Sequence, residues 1–185
     1  MSLTIPNLLT LLRIALIPLM VIVYFSSIAH AMPLAALIFT LAGLTDLLDG
    51  YLARKLDQTS AFGAFLDPVA DKLIVVCALV IVVYQHPSMH VLIPALIIIG
   101  REITVSALRE WMAELGNRGK VAVSYLGKVK TTVQIVAIIF LLWFEPLFGL
   151  PVFEIGKWLL DIAAILTVVS MLGYLQAAFR PDTAN

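Results

Sequence analysis

The chain has 185 residues, 62% hydrophobic and only 13% charged, with a mean hydropathy of +1.04. A water-soluble domain of this length has nowhere to hide so much apolar surface, so the composition excludes one and predicts a membrane protein. Twelve basic and 12 acidic residues balance to a net charge of zero, which leaves no basic face for a nucleic acid.

A membrane-spanning helix needs about 20 mostly apolar residues, and six stretches qualify. The first, 8–27, carries a polar seam at its start, Asn7, Thr10 and Arg13 at three-residue spacing. It runs on into a full-length span without a cleavage site, so no cleavable signal peptide is expected. A turn from Ser26 to Pro33 leads into the second span, 34–53, with Pro33 suited to a first helical turn. Lys55 to Ala61 turns into the third span, 62–84, which holds the single cysteine, Cys77, within an apolar run. That cysteine reads as a small buried hydrophobe, with no disulfide frame and no cysteine metal site. Gln85 to Ser88 precedes the fourth span, 91–114, and Gly116 to Gly119 the fifth, 121–144. A turn from Glu145 to Pro151 precedes the sixth, 154–178. No repeat or linker divides the chain, so residues 1–185 read as one domain.

Basic residues stay on the cytoplasmic side of a membrane. With both termini inside, Arg54, Lys55, Arg118, Lys120 and Arg180 all fall at cytoplasmic ends. The three outer turns contain no Lys or Arg, and only Lys157 sits near an outer end. Trp143 and Trp158 then fall near the outer interface, where indole rings favour the headgroup layer. His30, His86 and His90 lie in or near outer turns and read as solvated. The expected fold is an all-α integral membrane bundle of six transmembrane helices, both termini cytoplasmic.

Four carboxylates break the apolar pattern. Asp46 and Asp49 end the second span, and Asp67 and Asp71 open the third. An aspartate at a helix centre costs about 2.5–3.5 kcal/mol on insertion scales, so four together need compensation. Asp46, Asp49, Gly50, Ala53 and Arg54 share one helical face, and Asp67 and Asp71 are one turn apart. A short turn makes the two helices antiparallel neighbours, bringing both pairs to the same depth. Oxygen donors converging in this way suit hard cations such as Mg²⁺ or Mn²⁺, and two ions would neutralise all four. Gly50 and Ala53 leave room for a bulky ligand or another helix. Taken singly, Asp49 with Arg54 or Asp71 with Lys72 would pass for interfacial ion pairs; their matched depth and facing point to a site.

From Asp46 the sequence reads D-L-L-D-G-Y-L-A-R, then eight residues, then G-A-F-L-D-P-V-A-D, ending at Asp71. This resembles the signature of the CDP-alcohol phosphatidyltransferases, D-x2-D-G-x2-A-R-x8-G-x3-D-x3-D, at every fixed position. The resemblance implies a six-helix membrane enzyme, and it implies roles. Asp46, Asp49 and Asp67 would ligate two divalent cations, Mg²⁺ or Mn²⁺. Asp71 would complete the metal site and act as general base. Asp49, Gly50, Ala53 and Arg54 would contact a CDP-linked lipid, with Gly63 the small residue opening the second half of the motif. A homodimer is implied as well.

The acceptor must be read elsewhere. Arg101 and Arg109 on the fourth span, with Lys128 and Lys130 on the fifth, place four cations in the inner or middle membrane domain. They point to an anionic acceptor, since Arg holds a phosphate by two parallel hydrogen bonds; the competing reading is snorkelling toward headgroups. G-R-E at 100–102 and V-A-V-S-Y-L-G-K-V-K-T-T-V-Q at 121–134 resemble the family branch that makes phosphatidylglycerophosphate. That branch joins CDP-diacylglycerol to sn-glycerol 3-phosphate at the cytoplasmic face of the bacterial plasma membrane. Asn7, Thr10 and Arg13 resemble its N-terminal pattern and would line the cleft in a secondary place. A branch using phosphatidylglycerol as acceptor, making cardiolipin, is the nearest alternative. An ion-coupled transporter is disfavoured, because the polar residues cluster in the cytoplasmic half instead of crossing the membrane. Asp161 has no role in this reading.

Overall fold

The structure, a computed structural model, describes residues 5–56, 61–116 and 125–178. Within those segments the side chains of 5, 6, 47, 49–54, 56, 61, 64, 125, 126, 177 and 178 lie outside the description. The described residues form six helices: α1 (Ile5–Tyr24), α2 (Ala31–Leu56), α3 (Ala61–Gln85), α4 (Met89–Glu114), α5 (Tyr125–Trp143) and α6 (Val152–Ala178).

Each expected span coincides with one helix, but the ends differ. Helix α1 begins at Ile5 and stops at Tyr24, and α2 runs from Ala31 to Leu56, because backbone hydrogen bonding does not end where hydropathy does. Pro33 sits in the first turn of α2, where an amide has no helical partner to lose. Pro18, Pro68 and Pro94 lie inside α1, α3 and α4, a placement that membrane helices tolerate. Helix α4 ends on Gly116, whose φ of +74° closes the last turn in a conformation that side chains disfavour.

Helix α1 packs on α2 and α3, while α5 packs on α6 and also on α2 and α3. Helix α4 rests on α6 and α3. One apolar cluster runs through the bundle, built on Met20, Phe39, Leu79, Ile98, Leu141 and Leu160. Fully buried alanines, among them Ala35, Ala42, Ala78 and Ala163, let neighbouring helices approach closely. Gly156 sits at a close approach: a Cβ there would meet Phe140 Cβ at 3.0 Å and Leu141 N at 3.2 Å.

The outside of the bundle is apolar too. Ile22, Phe65, Leu96, Trp158 and Ile165 are all more than half exposed, which suits a surface solvated by lipid. Asn7–Tyr24, Met89–Glu114 and Val152–Gln176 are each long and apolar enough to cross a membrane, with only 33% of each stretch buried. The chain is a membrane protein.

One expectation for the turns needs correcting. His30 and His90 are exposed as expected, with side chains 73% and 70% accessible, but His86 is only partly exposed. Its ring stacks on Phe144 at 4.6 Å and lies 4.5 Å from Phe153, and its Nε2 is buried. The sequence places His86 in a turn; it does not show Phe144 and Phe153 closing over it. Cys77 is partly buried against the core.

Candidate active site at the carboxylate helices

The polar seam of α1 turns inward. Asn7, Thr10 and Arg13 are 3%, 0% and 1% exposed, because this face of α1 lies against α2 and α3. Thr10 Oγ1 donates to Asp67 Oδ1 at 2.5 Å. Arg13 Nη1 donates to Asp71 Oδ1 and lies 3.1 Å from Asp46 Oδ1. One buried guanidinium nitrogen therefore joins a carboxylate of α2 to a carboxylate of α3. Both carboxylates stay open on another side, 42% and 45% exposed. Gly63 is buried two turns before Asp71 on α3. Asp49, Gly50, Ala53 and Arg54 follow Asp46 along the backbone of α2, but their side chains lie outside the described residues.

Among the described residues, no three of Asp, Glu, His and Cys close into a metal-holding cluster. What the donor set offers is its chemistry. Asp46, Asp67 and Asp71 are hard oxygen donors on two adjacent helices, and Asp46 and Asp71 already share one positive charge. Oxygen-only ligation around a cation suits Mg²⁺ or Mn²⁺, so the donor type, though not a closed cluster, fits the expected metal.

A second charged cluster lies where α4, α5 and α6 meet. Lys130, 1% exposed, donates from Nζ to Glu102 Oε1 at 2.5 Å. Arg101 Nη1 reaches the same oxygen at 3.4 Å, and its guanidinium stands 5.5 Å from the centre of the Tyr174 ring. The structure thus gathers two of the four expected cations on one carboxylate. Arg109 and Lys128 are exposed on α4 and α5. Helix α5 packs on α2 and α3 as well as α6, and its Lys130 reaches Glu102 of α4.

Two residues count for more here than their sequence suggests. Arg13 has a secondary place in the sequence pattern, yet it touches two of the motif carboxylates. Glu102 enters the sequence only as a letter of G-R-E, yet it holds both buried cations. The available signal was charge balance: a Glu and a Lys within apolar spans each need a partner. Asp161 pairs with His90, Nδ1 to Oδ2 at 3.4 Å. His90 precedes Arg101 by eleven residues on α4, about 16 Å of helix, so this pair belongs to the opposite end of the bundle.

A sequence profile of the CDP-alcohol phosphatidyltransferase family matches residues 3–169. Proteins of Escherichia coli (strain K12), Salmonella typhimurium (strain LT2) and Shigella flexneri are each 52% identical to this chain over 178 residues. The match covers 96% of this chain and 96% of each relative. All three are named CDP-diacylglycerol–glycerol-3-phosphate 3-phosphatidyltransferase.

Proposed function

This chain belongs to the CDP-alcohol phosphatidyltransferase family, and from that premise we propose that it makes phosphatidylglycerophosphate. It transfers the phosphatidyl group of CDP-diacylglycerol to sn-glycerol 3-phosphate and releases CMP. The observation that carries the reading is 52% identity over 96% of the chain to relatives bearing that enzyme's name.

In the proposed reaction a free hydroxyl of the acceptor attacks the β-phosphorus of the CDP-lipid. The bond from that phosphorus to the bridging oxygen breaks, and CMP leaves with the electron pair. Asp71 takes the hydroxyl proton, as a carboxylate in reach of the nucleophile can. Arg13, donating to Asp71 and lying beside Asp46, fixes how the two carboxylates face each other. Thr10 holds Asp67 in the same way. Gly50, Ala53, Arg54 and Gly63 line the place of the cytidine diphosphate, with Asp49 shared between lipid and metal. Two divalent cations held by Asp46, Asp49, Asp67 and Asp71 would supply charge neutralisation on the diphosphate and the departing CMP.

Arg101, Arg109, Lys128 and Lys130 form the acceptor's phosphate site, Arg101 and Lys130 as its buried grip and the exposed Arg109 and Lys128 at its approach. Both termini and the site face the cytoplasm of a bacterial plasma membrane, where water-soluble glycerol 3-phosphate is available, and the protein works as a homodimer. The test is product analysis. Purified protein in lipid vesicles is offered CDP-diacylglycerol with glycerol 3-phosphate, glycerol, serine, inositol and phosphatidylglycerol in competition. Mass spectrometry should find phosphatidylglycerophosphate with matching CMP. Preference for another alcohol overturns the assignment.

A further inference from the structure

Lys130 is 1% exposed, and an ammonium that deep needs a counter-charge. Glu102 supplies it, but its carboxylate oxygen is shared, at 2.5 Å from Lys130 Nζ and 3.4 Å from Arg101 Nη1. A pair that served only to neutralise itself would match one anion to one cation. Here, among the described residues, two cations meet one carboxylate, and positive charge is left over. Arg101 is also steadied by the Tyr174 ring, and its Nε is buried with no hydrogen-bond partner among the described residues. A buried guanidinium N–H without an acceptor, beside surplus positive charge, suits an incoming anion.

We propose that Glu102 is the positioning residue of the acceptor site, holding Lys130 and Arg101 in place to receive the acceptor's phosphate monoester. The proposal rests on the reading of the acceptor given above. It makes a prediction that simple attraction does not. If bulk charge governed, removing a carboxylate beside the site would strengthen binding of an anion. If Glu102 positions the cations, its removal leaves two adjacent buried positive charges to repel each other, and binding weakens.

The experiment measures KM for glycerol 3-phosphate and for CDP-diacylglycerol with purified full-length protein. Glu102→Gln should raise the acceptor KM about tenfold or more, the scale of one charge-assisted hydrogen bond, with the CDP-lipid KM within about twofold. Glu102→Asp, which keeps the carboxylate but shortens its reach, should fall between wild type and Glu102→Gln; it carries the test if Glu102→Gln does not fold. In a Lys130→Met background Glu102→Gln should add little further, because residues acting through one another are not additive. An acceptor KM that stays constant or falls in Glu102→Gln overturns the proposal. So does a parallel loss in both substrates that tracks loss of folded protein in both Glu102 variants. Wild type using unphosphorylated glycerol as readily as glycerol 3-phosphate overturns the acceptor reading itself, a result visible before any variant is made.

Discussion

Arg13 and Asp71 lie 58 positions apart in sequence and meet as a fully buried guanidinium on a half-exposed carboxylate. The same guanidinium nitrogen reaches Asp46 at 3.1 Å, so α1 clamps the two carboxylate helices together. Arg13→Met should keep the side chain's apolar bulk and remove the clamp. A hydrogen bond to a charged group is worth about 1.5–3 kcal/mol, so kcat/KM should fall roughly tenfold to a hundredfold. Arg13→Lys should recover part of this, since an ammonium lacks the planar fork. The comparison is of initial rates on protein eluting as a single species in detergent. Full activity in Arg13→Met would remove Arg13 from the site.

The motif carboxylates make a graded prediction. Asp46→Asn, Asp49→Asn, Asp67→Asn and Asp71→Asn should each abolish nearly all turnover, because each loses charge and ligand strength together. A chelator should do the same to wild type, and Mg²⁺ or Mn²⁺ should restore it. Thr10→Val, which removes only the hydroxyl bonded to Asp67, should retain measurable activity. Activity that persists in chelator would sink the proposed metal dependence.

The sequence made the six helices legible because apolar runs of membrane length are broken by short turns. The aspartate motif was legible because its spacing is long and fixed. Partners across the bundle were not. The spacing of Asn7, Thr10 and Arg13 says that they share a face, but periodicity does not say which helix that face meets. Glu102 and Lys130 are 28 positions apart on different helices, and only packing puts them together. His86 is only partly solvated for the same reason, since its cover comes from Phe144 and Phe153.

Sidedness can be read by labelling. On a Cys77→Ser background, a cysteine at Glu114, exposed in the last turn of α4, should react only with reagents that reach the cytoplasm. One at Ser88, before α4, should react with an impermeant reagent added outside intact cells. The reverse pattern would turn the topology over and move the proposed site to the wrong face.

His86 gives a pH dependence at the other end of the bundle. Burial pushes its imidazole below the ordinary value of 6.5, and Lys157 adds to the effect. Lys157 is itself paired with Glu154 at 2.8 Å. A depressed histidine pKa means that the unfolded chain takes up a proton more readily than the folded one. Stability should therefore hold above about pH 6.5 and decline as the pH falls below it, down to the folded-state pKa. Thermal unfolding in detergent at about pH 7.5 and about pH 5.5 should show the decline, and His86→Phe should lessen it. An equal decline in both proteins would assign it to other groups.

The four expected cations should not contribute alike to acceptor use. Arg101 and Lys130 are largely buried and share Glu102, whereas Arg109 and Lys128 are exposed. Buried charges act at short range with little screening, while exposed ones act through solvent and weaken with salt. Arg101→Ala should therefore raise the acceptor KM more than Lys128→Ala does, and its effect should persist at high ionic strength. The Lys128→Ala effect should shrink as salt rises from about 0.01 M to about 1 M, where the screening length falls from about 30 Å to about 3 Å. Arg109→Ala should follow Lys128→Ala if Arg109 only draws the acceptor in, and Arg101→Ala if it closes on the phosphate once bound. Affinity for CDP-diacylglycerol should change little in any of them. Equal and salt-independent losses for Arg101 and Lys128 would mean that both touch the phosphate directly, and the division into buried grip and exposed attraction would fall.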